Sequence, residues 1–377
     1  MRQCLYLVLF GLSLLLVACS EKTGSDEDRK DTKGGEQETP AAEGTSLPGP
    51  WDDVVFTKHS SYACQSPEGT RTKFPDLIND DWDYEALEEI PINYITQESD
   101  VALQNQDHGP AACVWAFFEY FSEHDAYYEE SDCAEDHGEL VHAYERSLFS
   151  AGMISLPLLK LRNDSYISET DWQKITPWLR KLLDCEQVTL DDRLNNYTAE
   201  LEGLHNSVYN ATLAGASLAI LLNDQEAFAY FMDGFKTGLD QLNDDGTSSY
   251  EVAYKAGDAL FYHNLIANYA THIVLLSDLG EYDFLNHAKL SKMRRLVLDD
   301  LDGAGYLEQQ TGVPQTRHPK DEPWNLSWTY HMSRIQDDEL AGKWADDYAN
   351  ELVHSMTGGE PKEWWVLNSA LRQKYGD

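Results

Sequence analysis

Two short segments of the chain combine amides, a phenol, imidazoles and a cation at the start of helical apolar patterns. The first is residues 205–210, His-Asn-Ser-Val-Tyr-Asn, and the second is residues 255–264, Lys-Ala-Gly-Asp-Ala-Leu-Phe-Tyr-His-Asn. Amides and a cation can neutralise a carboxylate, which makes the neighbouring C–H proton more acidic, and a tyrosine can carry a proton. Such groups can remove a proton next to a carboxylate and expel a sugar oxygen. Together the segments predict an enzyme that acts on an acidic polysaccharide.

In the first segment, the spacing of the polar residues places them on one helical face. Asn206, Tyr209 and Asn210 are three and four residues apart, at the start of a predicted helix. The N–H groups and positive dipole at a helix start favour a bound carboxylate. A capping asparagine and a surface tyrosine are the alternative interpretation when this segment is considered alone.

The second segment places Tyr262 and His263 in the first two turns of another predicted helix. Asp258 is the candidate N-cap of that helix, and Lys255 lies just before it. Tyr262 also leads an apolar stripe, so a core tyrosine and a structural histidine are the alternatives. The presence of both segments in one chain favours the catalytic interpretation.

Helical periodicity dominates the rest of the chain, and period-2 strand patterns are scarce. Thr170 to Gln173 has the spacing of a capping box. Successive helical hairpins of roughly 40 to 50 residues indicate an all-α fold, either a curved array or toroid of antiparallel helix pairs or a plain irregular bundle. The predicted helical stretches are residues 112–121, 140–161, 170–183, 208–221, 228–239, 260–276, 285–301 and 340–356.

The N-terminal residues are typical of an exported lipoprotein. An apolar run from Leu5 to Val17 is too short to span a bilayer comfortably and leads into Leu-Val-Ala-Cys at residues 16–19. This ending resembles the bacterial lipobox, which implies that residues 1–18 are removed as a signal peptide and that Cys19 carries lipid. Ser20 resembles the residue that sends such proteins to the outer membrane. We therefore expect a lipid anchor, in the outer membrane facing the periplasm or at the cell surface.

Composition divides the mature chain into two parts. Residues 19–50 contain almost no large apolar side chain and predict a disordered acidic tether. Residues 51–377 contain no second linker and predict a single domain. The formal net charge of −38 argues against a nucleic-acid partner. We expect the acidic residues to cover the outer face and a few cations to line a cleft, in a protein that is a monomer.

Cysteine number and the common motifs restrict the remaining chemistry. Four cysteines fall within the predicted domain, which allows two disulfides in an oxidising compartment, and three pairings are possible. Their spacing matches no zinc site, and no nucleotide-binding, serine-hydrolase or zinc-protease motif occurs, so we predict no cofactor and no metal. These cysteines are Cys64, Cys113, Cys133 and Cys185.

Residues 259–264, Ala-Leu-Phe-Tyr-His-Asn, carry the clearest resemblance to a known family. They are similar to the Ala-Leu-x-Tyr-His-Asn motif of the mannuronate-specific alginate lyases of polysaccharide lyase family 5, whose fold is an incomplete α/α toroid. Weaker similarity extends over most of residues 60–335. The resemblance implies an α/α toroid, a lyase activity, and a Cys64–Cys113 disulfide that leaves Cys133 to pair with Cys185. The weaker matches are at residues 64–67, 113–115, 169–172, 228–246 and 324–328.

The first segment departs from the family motif Asn-Asn-His-x-Tyr-Trp. When the two are aligned on Tyr209, the second family asparagine falls on Asn206. The family histidine falls on Ser207, and the first family asparagine falls on His205. An asparagine and a tyrosine therefore carry over, whereas the histidine is displaced or lost.

Two further family positions are changed as well. Lys255 occupies the position of the family arginine, so the charge carries over without the bidentate fork. The tyrosine of a lid-like segment falls near Phe74, which follows Lys73. A drift in substrate preference is therefore expected.

The resemblance assigns roles in β-elimination from a 4-linked uronate. Asn206 and Lys255, helped by His205, would bind the carboxylate, and Tyr262 would protonate the departing O4. One tyrosine can both take and give the proton when the C5 hydrogen and O4 lie on the same side, as in mannuronate and glucuronate. Guluronate requires a separate base, and Ser207 is too weak a base for that role. Predicted substrate-binding residues are His263, Tyr209, Asn210, Lys73, Trp324 and Trp328.

The prediction is therefore a polysaccharide lyase for mannuronate-rich alginate, with an anionic polysaccharide as its partner and the membrane contacted through the N-terminal lipid only. A lyase for another polyuronate, such as a glucuronan, is one alternative. The other is an inactive lipoprotein that binds or assembles an exopolysaccharide. Trp324 and Trp328 could form the floor of a sugar groove or pack in the core.

Overall fold

The computed structural model describes residues 46–72, 91–128, 133, 147, 150–195, 205–280, 282–353, 357–366 and 368–376. Within these residues all regular secondary structure is helical, apart from an isolated bridge between Lys58 and Asp107. A π-helix spans Ser150–Ser155, and 3₁₀ turns span Ala256–Asp258, Pro319–Asp321 and Pro323–Leu326. The α-helices are α1 (Ile92–Asn105), α2 (His108–Glu123), α3 (Leu156–Leu161), α4 (Glu169–Asn195), α5 (His205–Leu221), α6 (Gln225–Gln241), α7 (Ser249–Tyr254), α8 (Ala259–Leu279), α9 (Ala288–Leu301), α10 (Tyr306–Thr311), α11 (Ser327–Ile335), α12 (Glu339–Asp347), α13 (Glu363–Val366) and α14 (Ser369–Tyr375).

Helices α5 and α8 lie at the centre of the core. Helix α5 packs against α4, α6 and α8, and α8 packs against α9 and α11. A turn of only three residues joins α5 to α6, which favours an antiparallel pair. Gly215 allows these two helices to approach closely, because a Cβ atom there would lie 2.0 Å from the Phe231 ring. The two motif segments therefore begin two neighbouring core helices.

Most of the predicted helical stretches are confirmed, and their errors lie at the ends. Residues 112–121, 208–221, 228–239 and 260–276 fall inside α2, α5, α6 and α8. The stretch 285–301 is helical only from Ala288. The stretch 340–356 is α-helical only as far as Asp347. The part of 140–149 that precedes the π-helix lies almost wholly outside the described residues.

The start of α4 corrects the predicted capping box. Ser168 Oγ accepts a hydrogen bond from Asp171 N at 3.2 Å, and Asp171 Oδ2 accepts one from Ser168 N at 3.1 Å. This reciprocal pair lies two residues before the predicted pair, Thr170 and Gln173. Ser168 and Asp171 satisfy the first N–H groups of the helix as well as Thr170 and Gln173 would. The spacing of a capping box alone therefore does not locate the start of the helix.

The folded unit begins before the predicted boundary at residue 50. It spans Ser46–Asp377, and Leu47 and Trp51 are both buried. Leu47 N donates to Asn223 Oδ1 at 2.7 Å, and Trp51 Nε1 donates to Glu363 O at 3.0 Å. The last residues of the predicted tether therefore pack on the helical core. Residues 1–45, with Cys19, lie outside the described residues.

Both predicted disulfides are present. Cys64 pairs with Cys113 at a Cα–Cα distance of 5.1 Å, and Cys133 pairs with Cys185 at 4.9 Å. The first bond joins the segment before α1 to α2, and the second joins residue 133 to α4. No helix in the described part of the chain is long and apolar enough to cross a bilayer.

The acidic residues lie mainly at the surface of the described structure. Few described carboxylates are buried. Two of these contact a basic side chain, since Asp100 contacts Lys160 and Asp164 contacts His108. This distribution agrees with the expected acidic outer face. The buried acidic residues are Asp100, Asp107, Asp164, Glu186, Glu251, Asp300 and Glu363.

Candidate active site

The first turn of α5 brings the polar residues of the first segment into the interior. Asn206, Ser207 and Asn210 are all fully buried. Asn206 N donates to Glu251 Oε1 at 3.3 Å, so a carboxyl group accepts one of the N–H donors that every helix start leaves open. His205 is the first residue of α5, and its side chain lies outside the described part of the structure.

The second segment follows α7 and leads into α8 through a 3₁₀ turn. Ser248 caps α7, and Lys255 ends it with a hydrogen bond from its N to Glu251 O at 3.2 Å. Lys255 Nζ lies 5.4 Å from the centroid of the Tyr262 ring, within the range of a cation–π contact. Among the described residues no carboxylate forms a salt bridge with Lys255. The cation of the second segment therefore lies beside its tyrosine, without a salt bridge to any carboxylate that the structure describes.

Tyr262 differs from its neighbours on α8 in its exposure. Every other residue from Ala259 to Ser277 is buried, whereas Tyr262 is half-buried. Burial and the negative charge of Glu251 raise the pKa of Tyr262, and the positive charge of Arg317 opposes that shift. At neutral pH Tyr262 therefore rests as a phenol that can donate a proton.

The start of α8 is capped from a distant part of the chain. Asp258 is at the N-cap position, but its side chain makes no cap hydrogen bond, and Asp258 Oδ1 instead accepts from Thr316 Oγ1 at 2.6 Å. Gln315 supplies the cap: its Oε1 accepts from Leu260 N and its Nε2 donates to Ala256 O, both at 2.8 Å. Asp258 therefore occupies the predicted N-cap position, but the prediction that its side chain caps the helix is wrong.

Arg317 is a second cation near Tyr262 that the sequence analysis missed. Its guanidinium carbon lies 3.5 Å from the centroid of the Phe261 ring. Its Nε and Nη2 donate to the two carboxylate oxygens of Glu322 at 2.6 and 2.9 Å. Arg317 is therefore a paired cation that stacks on the start of α8, whereas Lys255 has no salt bridge within the described part of the chain. No local motif marks residue 317, because its position depends on the hydrogen bonds of the preceding two residues to the 3₁₀ turn.

Glu251 is a second residue that the sequence analysis missed. It is fully buried, and burial raises its pKa to about 8 against the opposing effects of Asn206 N and the Lys255 charge. Its Oε2 atom has no hydrogen-bond partner among the described residues. No feature of the sequence distinguishes Glu251 from the many other acidic residues of this chain.

Three of the predicted substrate-binding residues are structural in this geometry. His263 is buried, its Nε2 accepts from Ser248 N at 2.8 Å, and its Nδ1 donates to Ala259 O at 2.6 Å. Burial lowers the pKa of His263 to about 4. Tyr209 is buried and donates to Gly238 O at 3.1 Å, and Trp328 is buried and donates to Asn264 Oδ1 at 2.8 Å. These contacts correct the prediction that the three side chains face a substrate, because they join the helices that carry the site.

The other predicted substrate-binding residues have different environments. Asn210 is buried, and neither of its amide atoms has a hydrogen-bond partner among the described residues. Trp324 is half-buried in the 3₁₀ turn Pro323–Leu326. Lys73 lies outside the described residues. Among the residues predicted from the sequence, Lys255 therefore lies beside Tyr262. Glu251 links this pair to Asn206.

A family model described as alginate lyase matches residues 117–304, a range that contains both motif segments. This match is consistent with a divergent member of the alginate lyase family. The match includes Glu251 and ends before Arg317.

Solved structures of alginate lyase A1-III share the fold. The enzyme from Sphingomonas species A1 aligns with a TM-score of 0.60 and 12% identity, over 85% of this chain and 88% of that chain. Its histidine-to-alanine variant complexed with a tetrasaccharide gives 0.62 and 13%, over 82% and 84%. Its tyrosine-to-phenylalanine variant, also complexed with a tetrasaccharide, gives 0.61 and 13% over the same shares. These similarities confirm the predicted α/α-toroid fold class. No curated protein sequence matches the chain.

Proposed function

We propose that this protein is a polysaccharide lyase that cleaves alginate, or a similar 4-linked polyuronate, by β-elimination. The observation that carries the proposal is the placement of a cation beside the tyrosine of the second motif segment. Lys255 Nζ lies 5.4 Å from the ring centroid of Tyr262, and Glu251, just before this segment, accepts a hydrogen bond from the backbone N of Asn206 in the first segment. The family match over residues 117–304 supports the reaction class.

Lys255 is the group best placed to neutralise the uronate carboxylate. No described carboxylate pairs with it, so its charge is available to an anionic ligand. Neutralising the carboxylate stabilises the enolate-like charge that develops when the C5 proton leaves. Asn206 would contribute an amide hydrogen bond, and since Asn206 is fully buried, this contact requires local opening at the start of α5.

Tyr262 would move the proton. Its phenolate form takes the C5 proton as the C4–O4 bond breaks and the C4=C5 double bond forms, and the resulting phenol then protonates O4. The phenolate is regenerated, and the products are a new chain end and a 4,5-unsaturated uronate. Burial favours the phenol in the resting protein, while the nearby charges of Lys255 and Arg317 favour the phenolate.

Stereochemistry then selects the sugar. One tyrosine serves as base and acid when the C5 hydrogen and O4 lie on the same side, as in mannuronate and glucuronate. Ser207 occupies the position of the family histidine and is fully buried, so it offers no base for guluronate. We therefore propose syn-elimination at mannuronate-like residues, with glucuronan as the alternative substrate.

The test is the ultraviolet absorbance of unsaturated uronate on a panel of polymannuronate, polyguluronate and glucuronan. We expect product from polymannuronate or glucuronan and at least about tenfold less from polyguluronate. Product from polyguluronate alone would overturn the syn mechanism. A wild-type protein that binds these polymers but releases no product would instead be a polysaccharide-binding protein.

We also propose that the mature protein is a monomer anchored by lipid on Cys19, with no nucleic-acid partner. The lipobox-like residues 16–19 and the net charge of −38 support this proposal. Cys19→Ala should move the protein from the outer-membrane fraction to the soluble periplasmic fraction in a bacterial host. Retention of Cys19→Ala in the membrane fraction would contradict the anchor.

A further inference from the structure

Glu251 occupies the junction between the two halves of the proposed active site. It lies on α7, its Oε1 accepts from the backbone N of Asn206 on α5, and its charge acts on both Lys255 and Tyr262. The side chain is fully buried, so it acts on a substrate only through these neighbours. A buried carboxyl group that bonds to the first motif segment and interacts electrostatically with the second is unlike the surface acids of this chain.

The surroundings of Glu251 fit a protonated carboxyl group. A buried carboxylate requires several donors or a close cation to offset the loss of water. Glu251 has one long N–H donor at 3.3 Å, its Oε2 has no hydrogen-bond partner among the described residues, and Lys255 is not within salt-bridge distance. A neutral carboxyl group can still accept from Asn206 N, and it costs far less to bury.

The protonation state of Glu251 also decides what Lys255 can do. An ionised Glu251 would attract the Lys255 ammonium and repel a substrate carboxylate that approaches the same cation. A neutral Glu251 leaves the positive charge of Lys255 to the substrate. Among the described residues, the other charged groups that act on Tyr262 are Asp258 on the 3₁₀ turn and the pair Arg317 and Glu322.

We propose that Glu251 is a positioning residue for the lyase reaction, which fixes the start of α5 against the Lys255–Tyr262 segment and keeps Lys255 available to the substrate carboxylate by holding its own proton. This inference rests on the proposed function, since it assigns Glu251 a role in that same site. It is not a catalytic residue in this scheme, because its side chain touches no reacting atom.

The first experiment measures kcat/KM between pH 6 and pH 9.5 for the wild type and Glu251→Gln, on whichever polymer gives product. With a pKa of about 8, the protonated fraction falls about tenfold by one unit above that value. Because the ionisation of Tyr262 is common to both enzymes, the test is the ratio of wild-type kcat/KM to that of Glu251→Gln, which we expect to fall about tenfold between pH 7 and pH 9, mainly through KM. Parallel pH profiles would overturn the proposal.

Glu363→Gln is the matched control. Glu363 is also buried, burial also raises its pKa, to about 7, and it bonds to Gln104 in a cluster that includes Asp100 and Lys160. Its replacement should leave the pH profile of kcat/KM as in the wild type. If Glu363→Gln changes the pH profile as much as Glu251→Gln does, the change reflects general stability and the positioning role is wrong.

A stability measurement tests the bound proton independently of activity. A carboxyl group whose folded pKa lies above its unfolded value destabilises the folded state progressively as pH rises from about 4.5 to about 8. The Tm of Glu251→Gln should therefore rise relative to the wild type over that range, and a pH-independent difference would overturn the inference. If the wild type is active but the pH profiles and Tm values of Glu251→Gln differ from those expected, the proposed function stands and only the role of Glu251 is wrong. If the wild type neither cleaves nor binds any polyuronate, both proposals fail.

Discussion

Tyr262 is the half-exposed residue in a stretch of α8 that is otherwise buried, and it lies beside the Lys255 ammonium. Tyr262→Phe keeps the ring and its packing and removes the hydroxyl that carries the proton. We expect kcat to fall by about 10²–10⁴-fold with little change in KM, because general acid–base catalysis is lost and binding is not. Steady-state kinetics on the best polymer measure both constants, with the exposed Tyr166→Phe as control. A kcat within about threefold of the wild type would exclude Tyr262 as the proton carrier.

Lys255 should affect binding and rate together, because its charge acts on both the bound carboxylate and the transition state. Lys255→Ala should lower kcat/KM by about 10²-fold, with a higher KM and a lower kcat. Lys255→Arg restores the charge and should stay within about tenfold of the wild type. Lys236→Ala, at an exposed lysine that pairs with Asp240, should behave as the wild type. Equal losses in the alanine and arginine variants would mean that shape rather than charge matters at residue 255.

The sequence predicted some residues of the site and missed others for a physical reason. Asn206, Lys255 and Tyr262 lie in two local motifs whose residue types already indicate their chemistry. Glu251 and Arg317 lack such a motif, and their importance comes from burial and from contacts across about 45 to 56 positions of sequence. His263 was overvalued because an imidazole next to Tyr262 has the right chemistry, although both of its nitrogens bond to the backbone.

The ends of the helices also depend on distant contacts that a local sequence pattern does not predict. The apolar stripe located α8 correctly, because periodicity is a local property. Its cap comes from Gln315, which no local pattern associates with Leu260. The folded unit starts at Ser46 rather than residue 51 because a single leucine, Leu47, packs on the core from within a polar stretch.

The segment around Gln315 should therefore influence both the stability of α8 and the geometry of the site. Gln315→Ala removes the acceptor for Leu260 N and the donor to Ala256 O, and it loosens the segment that places Arg317 over Phe261. We expect a loss of about 1 kcal/mol in the free energy of unfolding, as for other lost N-caps. A fall in kcat/KM should accompany it.

Denaturant unfolding and polymer kinetics measure these two effects. Gln309→Ala serves as the control, because residue 309 is an exposed glutamine on α10 in the same region. Unchanged stability and kinetics in Gln315→Ala would show that the start of α8 is fixed by packing alone.

At the scale of the whole molecule, surface charge and buried titratable groups act at different pH values. The 66 acidic and 28 basic residues give a repulsive surface charge that salt screens. Buried titratable groups instead make the stability of the fold depend on pH, and added salt does not remove this dependence. Composition predicted the acidic exterior, but the buried histidines and glutamates became evident only from the folded structure, since burial is a property of the packed chain.

His272 and His331 form a buried pair between α8 and α11 that should destabilise the protein in mild acid. Trp365 Nε1 donates to His331 Nδ1 at 2.9 Å, His272 Nδ1 donates to Asn268 O at 2.8 Å, and the two Nε2 atoms lie 3.2 Å apart. Both rings are neutral in this arrangement, with His331 donating to His272. Burial lowers the pKa of His272 to about 4 and that of His331 well below its ordinary value.

The unfolded chain therefore binds more protons than the folded protein below the ordinary histidine pKa of about 6.5, so stability falls as pH decreases from about 6.5 toward 4. Thermal unfolding between pH 5 and pH 7 tests this before most carboxylates titrate. The Tm should decrease toward pH 5 in the wild type, and the decrease should be smaller in His272→Gln, whatever that variant loses in absolute stability. His124→Gln, at an exposed histidine at the end of α2, should retain the wild-type slope. If His272→Gln shows the same slope as the wild type, other groups govern the acid side of the stability curve.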